Sequence, residues 1–424
     1  MKKLISILLV LTTFASFVPF SAQAVTAPAV VCNLTVEKNG TGAKVYWNKV
    51  SGAKGYLIYR KKGLNGKFAH LKTVSACSYI DKKIDKSSTY YYAVKAYKVS
   101  GGKNIYGKFC SDFSFSLAWQ RISGSGTGAR SKVQVNGKYL ANSKLSVKNT
   151  FLKNPKATKP FACGELSKTT KDNVLARVNY YRWLCGLSSV TYDKGYSVNN
   201  QWGAVLQHNM GVTTHTASKK PAGMTDSDFK KAQKGISCNS DSSVGKISGN
   251  CWRADSAVKS IDYFINDDES YSPTLISHRS ALLDPSCGKI SFGATGKYVA
   301  LSTFSGGKNT AGYYAFPAAG YYPNASIDTD APWSIRLAKG YSTTASTNVK
   351  LYYAGKVYPV KKIYNTKSYW YSFDYYVPSE LKKAICAGGA YKDGVSVTVK
   401  VSGLKYASSN NGWICYRVHF FKAK

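Results

Sequence analysis

The sequence predicts a multidomain α+β protein, in which two all-β regions flank a region that mixes helices and strands. Three observations predict this class. Short aromatic or β-branched runs separated by turn residues fill the first part of the chain, apolar residues at helical spacing follow, and strand alternation returns towards the end. A chain of 424 residues is also too long for one typical domain.

The first 24 residues have the composition of a secretory signal peptide. Lys2 and Lys3 precede an apolar run, and Ala22-Gln23-Ala24 offers a small-residue cleavage site. No later stretch approaches the ~20 apolar residues that are needed to span a bilayer. We therefore expect a secreted, extracellular protein, held at the cell surface by contacts and without a transmembrane segment in the mature chain.

Residues 25–118 are predicted to form an all-β domain. Strand patterns occupy residues 45–47, 55–59 and 90–97, and Tyr90, Tyr92 and Val94 share one face by the two-residue period of a strand. The order of these runs resembles bacterial fibronectin type III modules, with Trp47 as the core tryptophan. The resemblance implies a sandwich that needs no cofactor and serves as a spacer or an adhesive module.

Two further regions follow from composition and alternation. Residues 119–165 are rich in Ser, Gly, Lys and Asn, with little periodicity beyond Val133–Val135, and are interpreted as a linker with one hairpin. Residues 319–424 return to strand patterns, which predict a second, C-terminal β-sandwich. The alternating residues are Val395, Val397, Val399 and Val401, and then Ile414, Tyr416, Val418 and Phe420.

Residues 166–318 carry the helix patterns. Val174, Val178 and Tyr181 recur at helical spacing before Gly186, which is where such a helix should end. A second pattern runs from Val198 to Met210.

The order of motifs in this region resembles the CAP superfamily of cysteine-rich secretory, antigen 5 and pathogenesis-related proteins, in its divergent bacterial branch. The resemblance implies an α/β/α sandwich. It rests on three segments: Asn179, Arg182 and Gly186-Leu187; Thr214-His215 with Pro221 and Met224; and Ser277-His278-Arg279 through Leu282, Pro285 and Gly293.

CAP proteins line a cleft with two histidines and two acidic residues, which in some members hold a divalent metal. The resemblance assigns His215 and His278 to the histidines and Asp267 to one acid. The stretch that matches the other acid is Ser237-Cys238-Asn239, so its glutamate is missing. Zinc would suit His215, His278 and Asp267 as ligands, but the missing carboxylate leads us to expect no bound metal or other cofactor.

The same six residues leave three interpretations open. His215, Asp267 and His278 with Ser237 or Cys238 supply the residue types of a hydrolase, either a peptidase or an esterase. No G-x-S-x-G or H-E-x-x-H motif supports catalysis. The alternatives are a metal-free binding cleft and a structural polar network.

Charge and cysteine content point to the surroundings in which the protein works. The net charge is +38, or +36 without Lys2 and Lys3, which favours attraction to anionic surfaces. Ten cysteines predict disulfides in an oxidising compartment, with Cys238–Cys251 and Cys386–Cys415 as local candidates.

Three tyrosine clusters, Tyr313-Tyr314, Tyr321-Tyr322 and Tyr369–Tyr371, are candidates for stacking on sugars, although strand cores account for most tyrosines.

The sequence therefore predicts an extracellular binding or adhesion protein rather than an enzyme. The expected partners are a cell-wall polymer, an anionic lipid, or a glycan or protein of a host surface, and no specific nucleic acid. The alternative is a hydrolase that uses His215, Asp267 and His278.

Overall fold

The computed structural model describes residues 26–31, 34–63, 66–85, 88–115, 120–121, 124, 130–267, 276–338, 340–366, 372–406 and 409–424. The predicted signal peptide lies outside these residues, as do Cys32 and Tyr369–Tyr371. The described chain is multidomain and mostly β, with its longer helices in the middle region. Within this part of the chain, no helix is long and apolar enough to cross a membrane.

The N-terminal region is a sandwich of two antiparallel sheets. Its strands are β1 (Thr35–Asn39), β2 (Gly42–Tyr46), β3 (Gly55–Lys62), β4 (Ala69–Val74), β5 (Ser78–Asp81), β6 (Tyr90–Ser100), β7 (Lys103–Tyr106) and β8 (Cys110–Phe115). One sheet has the order β1-β2-β5, and the other has the order β4-β3-β6-β7 with β8 also on β6. Trp47, Tyr90, Tyr92 and Val94 are buried in one core, as predicted.

The segment predicted to be a linker contains a helix instead of a hairpin. After β9 (Gln120–Arg121), helix α1 spans Lys132–Ser143, and β10 (Phe151–Lys153) follows. The Gln134 N–H donates to the Ser131 hydroxyl at 3.2 Å, and the Ser131 N–H donates to the Gln134 side chain at 2.9 Å. This reciprocal cap satisfies two N–H groups that a helix start leaves without partners. The sequence signal for this helix is the Ser-x-x-Gln cap around Val133–Val135, which the interpretation as a linker with a hairpin did not use.

The middle region is built on one four-stranded sheet. Its elements are β11 (Glu165–Leu166), α2 (Lys168–Leu184), β12 (Thr191–Tyr192), α3 (Ser197–Met210), α4 (Asp226–Ile236), β13 (Lys246–Arg253), α5 (Ala257–Asn266), α6 (Ser277–Leu282), β14 (Cys287–Ala294) and β15 (Tyr298–Ser305). The sheet order is β12-β14-β15-β13, and β11 pairs with β10 outside it. Both predicted helices are present, and the chain leaves α2 through Gly186 at φ +71°.

Helices cover both faces of this sheet. Along β15, Leu301 packs in one core with apolar residues of α2 and α5, whereas its neighbour Ala300 packs in another core with residues of α3 and α4. Successive residues of a strand point to opposite faces, so the two cores lie on the two sides of the sheet.

The C-terminal region contains a four-stranded sheet, a seven-stranded sheet and the two-stranded pair β24-β25. Its elements are β16 (Tyr313–Phe316), β17 (Gly320–Pro323), β18 (Trp333–Leu337), β19 (Tyr341–Ser342), β20 (Asn348–Tyr353), β21 (Lys356–Pro359), β22 (Tyr364–Thr366), β23 (Ser372–Tyr375), α7 (Ser379–Ile385), β24 (Cys386–Ala387), β25 (Ala390–Tyr391), β26 (Ser396–Tyr406) and β27 (Ser409–Phe421). One sheet is ordered β16-β18-β23-β22. The other is β17-β27-β26-β20-β21, with β19 on β26 and β9 on β27.

The C-terminal region shares one apolar core with the middle region and another with the N-terminal region. Tyr181 and Leu184 of α2 belong to the same apolar core as Trp333 and Tyr391 of the C-terminal region. On β27, Trp413 joins the core of the N-terminal sandwich. The C-terminal sheets therefore pack against both earlier regions.

The predicted local disulfides are not formed. Cys251 is buried in the core under α3 and α4, whereas Cys238 lies exposed beyond the end of α4, and both are free thiols. Cys386 is also free, so it makes no bond to Cys415, and the described residues contain no disulfide. Burial raises the pKa of the Cys251 thiol to about 12, which keeps it protonated and unreactive at neutral pH.

Candidate functional site

Helix α5 places Asp267 at the edge of the buried middle region. Its apolar residues Ile261, Phe264 and Ile265 face the core, and Asp267 ends the helix in the left-handed conformation at φ 50°. Aspartate tolerates this backbone better than most residues with a side chain. The Asp267 side chain is only 4% exposed, so its carboxylate needs hydrogen-bond donors from the protein.

Helix α6 supplies those donors. Nδ1 of His278 lies 2.8 Å from Oδ1 of Asp267, and the backbone N–H of Arg279 donates to Oδ2 at 3.2 Å. An ionised carboxylate accepts hydrogen bonds and donates none, so the proton of a neutral His278 lies on Nδ1. Its Nε2 is then the basic nitrogen, and Asp267 fixes both the tautomer and the orientation of the ring.

The second imidazole is held in a similar way by a backbone carbonyl. Nδ1 of His215 donates to the oxygen of Ile236 at 2.8 Å, where α4 ends. Burial lowers the pKa of His215, the bond to Ile236 opposes this, and the charges of His278 and Lys246 lower it further. Strand β13 reaches both histidine segments: the Cys251 thiol donates to the Ile236 oxygen, and the Asn250 side chain donates to the backbone oxygen of His278. At neutral pH His215 is an uncharged ring whose Nε2 can accept a hydrogen bond.

The remaining candidates, Ser237, Cys238 and Asn239, follow α4. The Ser237 hydroxyl accepts a hydrogen bond from the Asn239 N–H at 3.2 Å, and its carbonyl accepts one from Nζ of Lys246 at 2.7 Å. Cys238 is exposed. Among the hydrogen bonds of the described residues, none joins this stretch to either imidazole. The structure therefore joins Asp267 to His278 by a hydrogen bond and holds His215 at the end of α4, next to the stretch that carries Ser237 and Cys238.

The donor set does not fit the metal site suggested by the sequence. The Asp267 carboxylate bonds Nδ1 of His278, so it orients a histidine instead of standing beside it as a ligand. No group of three His, Cys, Asp or Glu residues in the described chain has the arrangement of a metal site. A zinc site uses at least three protein ligands. The ligand set His215, His278 and Asp267 stays a prediction from the sequence, and the hydrogen bond between Asp267 and His278 does not favour it.

Sequence reasoning missed an aromatic wall beside His278. The ring of Phe264 stacks on the imidazole with centroids 5.1 Å apart, and Trp252 meets it edge-on at 5.6 Å. Tyr263 in turn stacks on Trp252 at 5.8 Å and is 49% exposed. The available signal was the Tyr263-Phe264 pair in the last turn of α5, which directly precedes the acid.

Sequence reasoning also missed a buried cation next to the site. Lys246 is 4% exposed and donates to the carbonyl oxygens of Lys234 and Ser237, at 3.2 and 2.7 Å. Burial lowers the pKa of its ammonium group. Lys246 ties the end of α4 to the start of β13 and adds positive potential near His215.

Comparisons with known proteins give partial likenesses to solved structures. No protein-family model and no curated protein matches the chain. The solved structure titled "FN3tt mut" is 20% identical, with 22% of this chain and 98% of that chain covered and a TM-score of 0.19. An Fn3-like protein from Clostridium thermocellum is 27% identical, covering 20% and 90% of the two chains, with a TM-score of 0.17.

The N-terminal region has a fibronectin type III-like fold, as predicted. Three strands in the order β1-β2-β5 face the sheet β4-β3-β6-β7, and this strand order in the structure carries the assignment. The CAP resemblance of residues 166–318 has no counterpart among the comparisons and stays a prediction.

Proposed function

We propose that this chain is an extracellular binding protein for anionic polymers of cell surfaces. Its charge balance carries the proposal. The chain has 59 Lys and Arg residues against 21 Asp and Glu residues, so internal ion pairing leaves a net charge of +38. Such a surplus attracts polyanions over about one Debye length, which is ~10 Å at 0.1 M salt.

We further propose that residues 166–318 form a CAP-like α/β/α sandwich. Two observations support it: helices pack on both faces of the sheet β12-β14-β15-β13, and the Asp267 carboxylate holds the imidazole of His278. Arg182 supports it as well. This buried guanidinium donates to the backbone oxygens of Leu282, Asp284 and Cys287, which ties α2 to the segment after His278.

The proposed binding does not depend on the imidazoles. The Asp267–His278 pair is buried, and the aromatic wall of Phe264 and Trp252 covers the His278 ring. A long polymer is held instead by many exposed lysines.

A hydrolase remains the second candidate because one observation favours it. The 2.8 Å bond from His278 to Asp267 is the base–orienter half of a catalytic triad. In that role Nε2 of His278 would take a proton from a water or a substrate hydroxyl. Neither Ser237 nor Cys238 makes a hydrogen bond to His278 among the described residues, so the structure assigns no nucleophile to this pair.

The experiment compares the wild type with His278→Ala in sedimentation with isolated cell walls and with anionic vesicles, between 50 mM and 500 mM NaCl. We expect binding at low salt, a loss of about tenfold or more in affinity as salt rises, and the same curve for His278→Ala. Salt-insensitive binding would contradict the proposal. So would a peptidase or esterase activity that His278→Ala abolishes, and this result would establish the hydrolase.

A further inference from the structure

The outer face of the N-terminal four-stranded sheet carries an unusual set of side chains. Strand register places Lys61 of β3 opposite Tyr91 of β6, and Tyr97 of β6 opposite Tyr106 of β7. The inward residues Ile58, Tyr92 and Val94 fill the sandwich core, so the residues between them face outwards. We call the outward set the aromatic–lysine face: Tyr59, Lys61, Tyr91, Lys95, Tyr106 and Phe109.

Cations and rings are interleaved on this face. Nζ of Lys95 lies 4.8 Å from the ring centroids of both Tyr106 and Phe109, and 5.4 Å from that of Tyr59. Nζ of Lys61 lies 4.8 Å from the ring centroid of Tyr91. These distances fall within the range of cation–π attraction. The rings therefore hold both ammonium groups at fixed positions on the sheet.

The rest of the described chain leaves this face open. Tyr106 is 46% and Phe109 is 43% exposed, and the ring of Phe109 stands edge-on to Tyr59 at 4.8 Å. The sandwich needs none of these rings for its core, which lies on the other side of the sheet. A contiguous exposed aromatic patch is a feature of binding surfaces rather than of inert ones.

We propose that the aromatic–lysine face binds an acidic polysaccharide. The proposal rests on the binding function proposed above and gives that function a place and a ligand class. Sugar rings present C–H faces that stack on tyrosine and phenylalanine, while carboxylates along the polymer pair with Lys61 and Lys95. The six residues of the face include two lysines and no carboxylate.

Charge density favours a polysaccharide over a nucleic acid. A nucleic-acid strand carries one phosphate per ~3.4 Å and is held by closely spaced cations. Here two lysines are spread among four aromatic rings. Two charges among four rings suit a polymer whose charges lie farther apart than the phosphates of a nucleic acid, such as a polysaccharide with one carboxylate on each sugar ring.

The experiment uses the full chain and three polymers in a binding titration at 50 mM NaCl. Alginate has sugar rings and carboxylates, dextran has rings without charge, and polyphosphate has charge without rings. The variants are the double substitution Tyr59→Ala with Tyr106→Ala, the charge reversal Lys95→Glu, and Tyr376→Ala as the matched control. A fourth variant, Tyr321→Ala, tests the rival tyrosine cluster that the sequence predicted in the C-terminal region. Tyr376 is 45% exposed, close to the 46% of Tyr106, and Tyr321 is 39% exposed.

We expect the wild type to prefer alginate to both other polymers. The double variant and Lys95→Glu should each lose about tenfold in alginate affinity, whereas polyphosphate binding should change by less than about threefold in the double variant. Tyr376→Ala and Tyr321→Ala should match the wild type for both polymers. Circular dichroism of each variant shows that the sheet is retained, and Lys95→Glu keeps all the rings if the double variant unfolds.

Two outcomes would overturn the inference. The first is alginate binding that both variants and Tyr376→Ala retain equally, whether or not Tyr321→Ala loses it, and the second is a wild type that prefers polyphosphate or a nucleic acid. If the wild type binds anionic vesicles but not alginate, the inference fails while the proposed function stands. If it binds no anionic polymer or vesicle at low salt, both fail.

Discussion

The aromatic–lysine face and the Asp267–His278 cleft both place aromatic rings against a basic group, and they use the arrangement differently. Lys95 lies over the exposed rings of Tyr106 and Phe109, with no carboxylate among the six residues of its face. His278 lies against the buried ring of Phe264, and its Nδ1 donates a hydrogen bond to Asp267. The first arrangement places an ammonium group beside exposed rings, whereas the second fixes an imidazole against a buried carboxylate.

This difference predicts which substitutions weaken ligand binding and which lower the free energy of unfolding. The rings under Lys95 stand outside the sandwich core, so we expect their removal to affect a ligand more than the fold. The ring under His278 belongs to the core that joins α5 to the C-terminal region. Substitutions in the cleft should therefore lower the free energy of unfolding, and substitutions on the outer face should leave it nearly unchanged.

The largest expected effect compares two phenylalanines. Phe264→Ala should lower the free energy of unfolding by about 4 kcal/mol, because it opens a cavity in a fully buried site. Phe109→Ala should change it by less than about 0.5 kcal/mol, since Phe109 is 43% exposed. Urea unfolding followed by tryptophan fluorescence measures both. Equal losses would contradict the comparison.

A second substitution tests the buried acid. Asp267→Ala should lower the free energy of unfolding by about 3 kcal/mol, because it leaves His278 Nδ1 and the Arg279 N–H without an acceptor. Alanine is also strained in the left-handed conformation of this position. Asp267→Asn keeps one acceptor and tolerates the backbone, so a loss of about 1 kcal/mol is expected. If the alanine variant were as stable as the asparagine variant, the bonds to α6 would be unimportant.

The sequence predicted the elements better than their contacts. Helices α2 and α3 were recognised because their apolar residues repeat at 3.6-residue spacing, and the N-terminal core because Tyr92 and Val94 alternate around Trp47. The sequence analysis also placed Asp267 and His278 in one cleft. Only ten residues separate them in the chain, and they lie at the facing ends of α5 and α6.

Other features depend on long-range packing and leave little trace in the sequence. The core shared by α2 and Trp333 joins residues about 150 positions apart. Burial of the tyrosines that the sequence analysis considered for sugar stacking depends on the same packing: Tyr313 and Tyr322 fill this core, whereas Tyr321 is 39% exposed. Periodicity alone does not show which face of a strand another region covers.

The smallest expected effect is a pH dependence in the cleft. Burial, together with the charges of His278 and Lys246, holds the pKa of His215 below 6.5, so the unfolded chain binds the proton first as the pH falls. This contribution to stability is complete above pH 6.5 and is lost as the pH falls towards 5. The thermal midpoint of His215→Gln should therefore fall less than that of the wild type between pH 7 and pH 5. His70→Gln, at an exposed position of the N-terminal sheet, should follow the wild type.

Hydroxyl-radical footprinting of the full chain, with and without alginate at low salt, tests the central claim most directly. Four exposed rings report in one experiment: Tyr106 and Phe109 on the outer face, Tyr263 beside the cleft and Tyr321 in the C-terminal region. Binding at the aromatic–lysine face predicts that alginate protects Tyr106 and Phe109 while Tyr263 and Tyr321 stay as reactive as before. Protection of Tyr263 with unchanged Tyr106 and Phe109 would place the ligand at the Asp267–His278 cleft and contradict the account.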